Sequence, residues 1–350
     1  MSLRGLSAIL LLLFVTALSG TALAHPGAGA QVCALGADAA GQPGTIVCKN
    51  VRTGATTQSV AVGKTVVGAG ATGGTFSRRG DAVLVTNIAA GALLFEEIGG
   101  RLVHPVTLRT GGEDSLSGAV GARGAYVLTP TRLLYFPRGR TAVASSANLL
   151  VGDGSAAQVT LAGGHAYVSE KSGSLEAFAL RWDGNLEGSV APVADIPAGT
   201  IVGITGVDDL IVSPVAHLTT DANQSTVPVS NGLTEVQEVA TKEVAACWAA
   251  SDDDEVCITN PGSMTISCGH FGPGGFETYT SAAASPTGES VLDLDMRHGL
   301  VGILGMHGGA PVMMVYERFG EHSDFMSSVG EIAVGTTAAT GALLLPPLSR

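Results

Sequence analysis

One short apolar tetrad recurs seven times along this chain of 350 residues, and that recurrence restricts the possible folds more than any other feature. The copies are Cys33-Ala34-Leu35-Gly36, Leu84-Val85-Thr86-Asn87, Val127-Leu128-Thr129-Pro130, Tyr167-Val168-Ser169-Glu170, Ile211-Val212-Ser213-Pro214, Cys257-Ile258-Thr259-Asn260 and Gly302-Ile303-Leu304-Gly305. Their starts lie 51, 43, 40, 44, 46 and 45 residues apart. A period near 45 is the length of one four-stranded sheet in a radial repeat, where each unit buries its faces on its neighbours.

The surroundings of the tetrad repeat as well. A second apolar strand follows, as in Leu133 to Phe136 or Met313 to Tyr316. Then comes a turn such as Gly99-Gly100, Asp183-Gly184, Asn231-Gly232 or Gly274-Gly275, residues that supply the positive φ values of tight hairpins. A further strand follows, as in Leu102 to Leu108. A stretch of small residues precedes the tetrad, as in Gly118 to Val120 or Ile201 to Thr205, and suits a crowded innermost strand. The pattern predicts an all-β, seven-bladed β-propeller of four-stranded antiparallel blades. The first repeat lacks an innermost strand, and Gly341 to Leu345 is left over at the other end. That segment is expected to complete the first blade and close the ring, which leaves few open sheet edges.

The cysteines test this register. Cys33 and Cys257 hold the same place in their tetrads, and Cys48 and Cys268 both fall in the strand that follows. Opposed residues of an antiparallel pair are close enough for a disulfide. The expectation is Cys33–Cys48 and Cys257–Cys268, with Cys247 left as a free thiol and read as a small buried hydrophobe.

Disulfides suit an oxidising compartment. Residues 1–24 read as a signal peptide, with Arg4, an apolar run from Ile9 to Val15 and a small-residue site at Ala22-Leu23-Ala24. Residues 25–30 read as a flexible lead, and 31–350 as one propeller domain. Removing Arg4 takes the formal charge from −12 to −13. An acidic chain without a basic stripe argues against nucleic acid, and no later apolar run is long enough to span a membrane. The expected protein is secreted, monomeric and extracellular. Asn223-Gln224-Ser225 is a glycosylation sequon.

The tetrads resemble the Tyr-Val-Thr-Asn repeats of microbial seven-bladed propellers. Ala246-Cys247-Trp248 followed by Cys257 to Asn260 is similar to a pattern in secreted proteins grouped with lactonase-type propellers, named for 6-phosphogluconolactonase and 3-carboxy-muconate cyclase. Tyr167 to Lys171, Asp183 to Leu186 and Ser290 to Asp295 also fit, so the resemblance covers essentially the whole chain after residue 24. It implies lactone hydrolysis or formation, with a His, acidic groups and arginines near the channel mouth. Glu170 matches an acidic position and is the candidate catalytic acid/base. Gln158 stands where a catalytic member offers His, and Pro214 stands one blade on from Glu170.

The leading expectation is therefore a propeller that binds a small or extracellular ligand without the family's catalysis. A lactone hydrolase or cyclase is the alternative, and a protein-interaction scaffold is another. Turns after the second strands, with the connections between blades, place Asn87, Asp114, Asp153, Lys171, Asn260, Glu289 and His307 around one rim as ligand-binding candidates. The competing reading is that these are ordinary turn residues. No cofactor and no metal are expected: the acid run Asp252 to Glu255 lies at a turn without a ligand loop, and His25 lacks a defined partner.

Overall fold

A computed structural model of the chain describes residues 29–39, 41–66, 74–193, 199–217, 226–231, 234–241, 243–272, 275–283, 290–318 and 326–348. The proposed signal peptide, His25, the Asn223 sequon and Glu289 lie outside the described residues. The described chain is β-structure and turns, in seven antiparallel sheets arranged as a propeller.

Six sheets are blades of four strands, as the repeat predicts. The second comprises Phe76–Arg79, Ala82–Ile88, Gly91–Ile98 and Arg101–Arg109, in that order across the sheet. The third comprises Ser117–Val120, Gly124–Leu128, Arg132–Pro137 and Ser145–Asn148. The fourth comprises Ala156–Ala162, His165–Glu170, Ser174–Leu180 and Leu186–Val193. The sixth begins with Ala249–Asp252 and Glu255–Asn260, and the seventh with Val291–Arg297 and Leu300–His307.

The fifth sheet corrects the expectation of seven four-stranded blades. It has six short strands: Gly199–Ile201, Thr205–Val207, Leu210–Val212, Val215–His217, Thr226–Asn231 and Thr234–Ala240. Thr205–Val207 pairs with Leu210–Val212, and Gly199–Ile201 pairs separately with Val215–His217. Thr226–Asn231 lies along both Leu210–Val212 and Val215–His217. The second strand is thus split at Ser213-Pro214, where proline has no N–H to give the ladder. The innermost strand is split opposite it, so Ile201 to Thr205 is not the single inner strand that composition suggested.

Innermost strands touch in succession around the axis, from Phe76–Arg79 through Ser117–Val120, Ala156–Ala162, Thr205–Val207, Ala249–Asp252 and Val291–Arg297 to Ala338–Leu345, and back to Phe76–Arg79. Several are rich in small residues where the backbones converge, as in Ser117–Val120 and Ala156–Ala162. A Cβ on Gly118 would collide with the Leu84 side chain, and one on Gly206 would sit 2.5 Å from the Leu161 carbonyl oxygen. Apolar clusters fill the spaces between adjacent sheets. Leu84, Ala92 and Leu108 of the second pack on Ala125, Val127 and Phe136 of the third, and Val32 and Leu344 of the first pack on Leu304 and Met313 of the seventh.

The strand Ala338–Leu345 supplies the inner edge of the first sheet by pairing with Gln31–Ala37, from Gln31↔Leu345 to Ala37↔Ala338. Leu344 is held from three sides. Its N–H donates to Asp295 Oδ2 at 2.7 Å. Its carbonyl accepts from Arg78 Nη1 at 2.6 Å and Arg297 Nη1 at 3.4 Å. Arg297 also pairs with Glu97 at 2.9 Å. Groups of the second and seventh sheets therefore lock the closing strand of the first.

Both disulfides form where the repeat register places them. Cys33 opposes and bonds Cys48, and Cys257 opposes and bonds Cys268. Cys247 is free. No helix of the described residues is long and apolar enough to cross a membrane.

Candidate functional site

The strand directions define two ends of the channel. Second strands finish at one end, with Asn87, Glu170 and Asn260 near their last residues. Innermost strands finish at the other end, with Arg79, Val120 and Leu161 near their last residues.

At the first end the rim candidates do different jobs. Asn87, at φ 60°, is buried, and its side-chain amide donates to Thr75 Oγ1 at 2.7 Å. Asp114 accepts from the Ala90 N–H at 3.2 Å. Asn260 is buried and donates to Ser267 Oγ at 2.9 Å, while its Oδ1 has no partner among the described residues. His307 is exposed and pairs with Glu331. These contacts serve the local turns and hairpins, as Asn and Asp do in turns generally.

Glu170, Lys171 and Asp153 do come together, and Ser155 joins them. The Ser155 hydroxyl donates to Glu170 Oε2 at 2.8 Å, its N–H donates to Asp153 Oδ1 at 2.8 Å, and its carbonyl accepts from the Lys171 N–H at 2.9 Å. Hydrogen bonds from Ser155 hold the Asp153 carboxyl below its usual range. Glu170 is fully buried, and its Oε1 has no partner among the described residues. Burial pushes its carboxyl up to about 7 against the Ser155 hydrogen bond, with help from the charges of Glu176 and Asp153. Glu176, a buried acid absent from the sequence expectations, accepts the Leu150 and Val151 N–H groups at 2.8 and 2.7 Å.

Two further groups escaped sequence reasoning as a pair. Asp293, in the seventh innermost strand, is buried, which pushes its carboxyl up to about 7. Cys247 is pushed up to about 12 by burial and then by the nearby Asp293 charge, opposed by Lys171. Asp293 lies inside the segment Ser290 to Asp295 that the resemblance had marked, but nothing in its local sequence says that it turns inward.

At the opposite end a cavity of about 250 Å³ opens among the ends of the innermost strands. Its lining is polar: Ser77, Gln158, Thr160, Thr205, Ser251 and the guanidiniums of Arg78 and Arg79, with Asp295 beside them. None of the described rim candidates lines it. Gln158 Oε1 accepts the Ile204 N–H at 2.9 Å and so ties the fourth sheet to the fifth. Arg78 is engaged with Leu344 and lies 3.6 Å from Asp295. Arg79 is exposed, with no side-chain partner among the described residues. It ends Phe76–Arg79, at the turn into Ala82–Ile88, and the end of the channel that opens was not legible in the sequence.

No family model and no curated protein matches this chain. Solved structures match its fold. A protein of unknown function from Desulfotomaculum acetoxidans is similar with a TM-score of 0.66 and 15% identity, over 91% of this chain and 99% of that one. A protein from Lactobacillus plantarum is similar with a TM-score of 0.61 and 11% identity, over 91% and 99%. A candidate 6-phosphogluconolactonase from Bacteroides fragilis is similar with a TM-score of 0.58 and 11% identity, over 90% and 98%. Identities this low define the class alone: the chain is a β-propeller of the shape that lactonase-like propellers share. The chemistry has to come from its own residues.

Proposed function

We propose that this chain is an extracellular, monomeric member of the lactonase-type propellers that holds a small polar ligand at one channel mouth and does not catalyse the family's reaction. The observation that carries the reading is the polar cavity at the ends of the innermost strands, where hydroxyls and an uncommitted Arg79 converge. A guanidinium beside several hydroxyls suits a small anionic or polyhydroxylated molecule. Gln158, at the position where a catalytic relative carries His, moves no proton and instead bonds the neighbouring sheet. Two disulfides support an oxidising location.

Native mass spectrometry of the secreted protein tests this. A co-purified small molecule is expected, and Arg79→Ala should reduce its occupancy by about tenfold. A ligand retained equally by both forms would move the site elsewhere.

One observation favours a second reading, an extracellular lactone hydrolase or cyclase. Glu170, with its carboxyl near neutrality and its unpartnered Oε1, has the properties of a general acid/base. Turnover of a lactone panel, abolished by Glu170→Gln, would establish that reading; no turnover by the wild type would reject it.

A further inference from the structure

We propose that the groove between the second and third sheets, which adjoins the channel-mouth cavity at Arg79 and Val120, is a second binding site, for a small apolar carboxylate. The groove encloses about 380 Å³, within the ~300–1,000 Å³ typical of small-molecule pockets. Leu94, Leu108, Val120, Ala125 and Phe136 line it and belong to the apolar cluster joining the two sheets, so the floor is part of the packed core. Around the opening, hairpin turns carry Arg79, Arg138 and Arg140. The positive φ of Gly139 turns the chain between the last two, and both are exposed.

Charge and chemistry together select the ligand. The chain has a formal charge of −12, yet three guanidiniums border this one groove. Asp81 is the sole acid of the lining and reaches Arg138 at 3.7 Å in an exposed contact, a geometry that contributes little. Arg79 and Arg140 have no side-chain partners among the described residues. The groove therefore presents excess positive charge above apolar walls. No hydroxyl or amide side chain lines it, in contrast to the channel mouth. A molecule that fits must put its polar atoms at the arginine rim and an apolar body on the floor. A carboxylate matches the guanidinium fork, and a hydrocarbon or aromatic body gains from leaving water. A sugar-like ligand would bury hydroxyls that nothing in the floor can bond.

Isothermal titration of the disulfide-bonded secreted protein with decanoate, decanol and inorganic phosphate tests the site. Decanoate should bind saturably at one site, with decanol and phosphate each at least about tenfold weaker. The double variant Arg138→Gln/Arg140→Gln should weaken decanoate by about tenfold and leave decanol unchanged. Ala122→Trp, at an exposed position of the lining, should abolish decanoate binding by filling the groove. Ser251→Ala, in the channel mouth, should leave decanoate unaffected, which separates this site from the channel ligand. The altered positions apart from Ser251 are exposed, and unchanged melting curves verify folding. Any of three results overturns the proposal: no decanoate binding, decanol or phosphate binding as tightly as decanoate, or full decanoate binding by Ala122→Trp.

Discussion

At the scale of single residues, buried carboxyls make the protein sensitive to pH in an unusual direction. Glu170 and Asp293 are both pushed up to about 7 by burial. In the unfolded chain each titrates in the ordinary carboxylate range, so the folded state binds protons more tightly. Stability is then fullest below the unfolded values and declines as pH rises through about 7. A fall on the order of a few kcal/mol between about pH 4.5 and pH 8 is expected in urea titrations, and Glu170→Gln with Asp293→Asn should reduce it, leaving the part due to Asp295, which burial also pushes up. A wild-type profile that rises over that window would contradict the burial of both acids. Cys247 carries a matching expectation. Its thiol is pushed up to about 12, so iodoacetamide at about pH 8 should leave it unmodified in the folded protein and alkylate it in urea. Glu170 was legible because the tetrad fixes its place in the strand. Asp293 was not, because an acid in an inner strand is indistinguishable in sequence from one facing water.

At the scale of elements, equivalence between repeats allowed the thiols to be paired. Cys33 and Cys257 share a position in the tetrad, and the strands that follow bring Cys48 and Cys268 opposite them. Each bridge closes a short loop, with separations of 15 and 11 residues. Replacing either pair by alanine should cost about 2–3 kcal/mol in denaturant unfolding. Losses below about 0.5 kcal/mol would show that the hairpins keep their register without the bridges. The same logic failed in the fifth sheet. Ile211 to Pro214 scans as a tetrad like the others, yet its proline breaks the ladder and the innermost strand breaks with it. Periodicity reports that a unit exists; it does not report how continuous its hydrogen bonding is. Side chains at the rim are likewise set by local contacts that periodicity does not report. Asn87 and Asn260 look like ligand groups in a turn; their side-chain amides donate to Thr75 and Ser267, and Asn260 Oδ1 is left without a partner among the described residues.

At the scale of the whole molecule, the ring depends on its closing strand. Ala338–Leu345 fills the inner edge of the first sheet, and Leu344 bonds to Asp295, Arg78 and Arg297 from two other sheets. Deleting residues 338–350 should lower the melting temperature sharply and expose the edge of Gln31–Ala37 to aggregation. An unchanged melting curve would mean that the sheets hold together without closure. Arg297→Met should weaken the lock with a smaller loss, on the order of 1–3 kcal/mol, because Glu97 would be left partly buried without its cation. Ring and closure were readable from the surplus strand at the chain's end; the ionic lock was not, since Asp295, Arg297 and Arg78 are remote from one another in sequence or lie among ordinary strand residues.

Gln31 Nε2 donates to the Pro346 carbonyl across 315 residues of chain. Such a seam places the costliest loop closure of the molecule at a single late event, because the strand that completes the first sheet follows all the others. Until that strand arrives, the earliest sheet must wait with a bare edge. Assembly is therefore gated by its final step, and a chain cut short anywhere before it would betray itself as a sticky intermediate rather than pass as a slightly smaller protein.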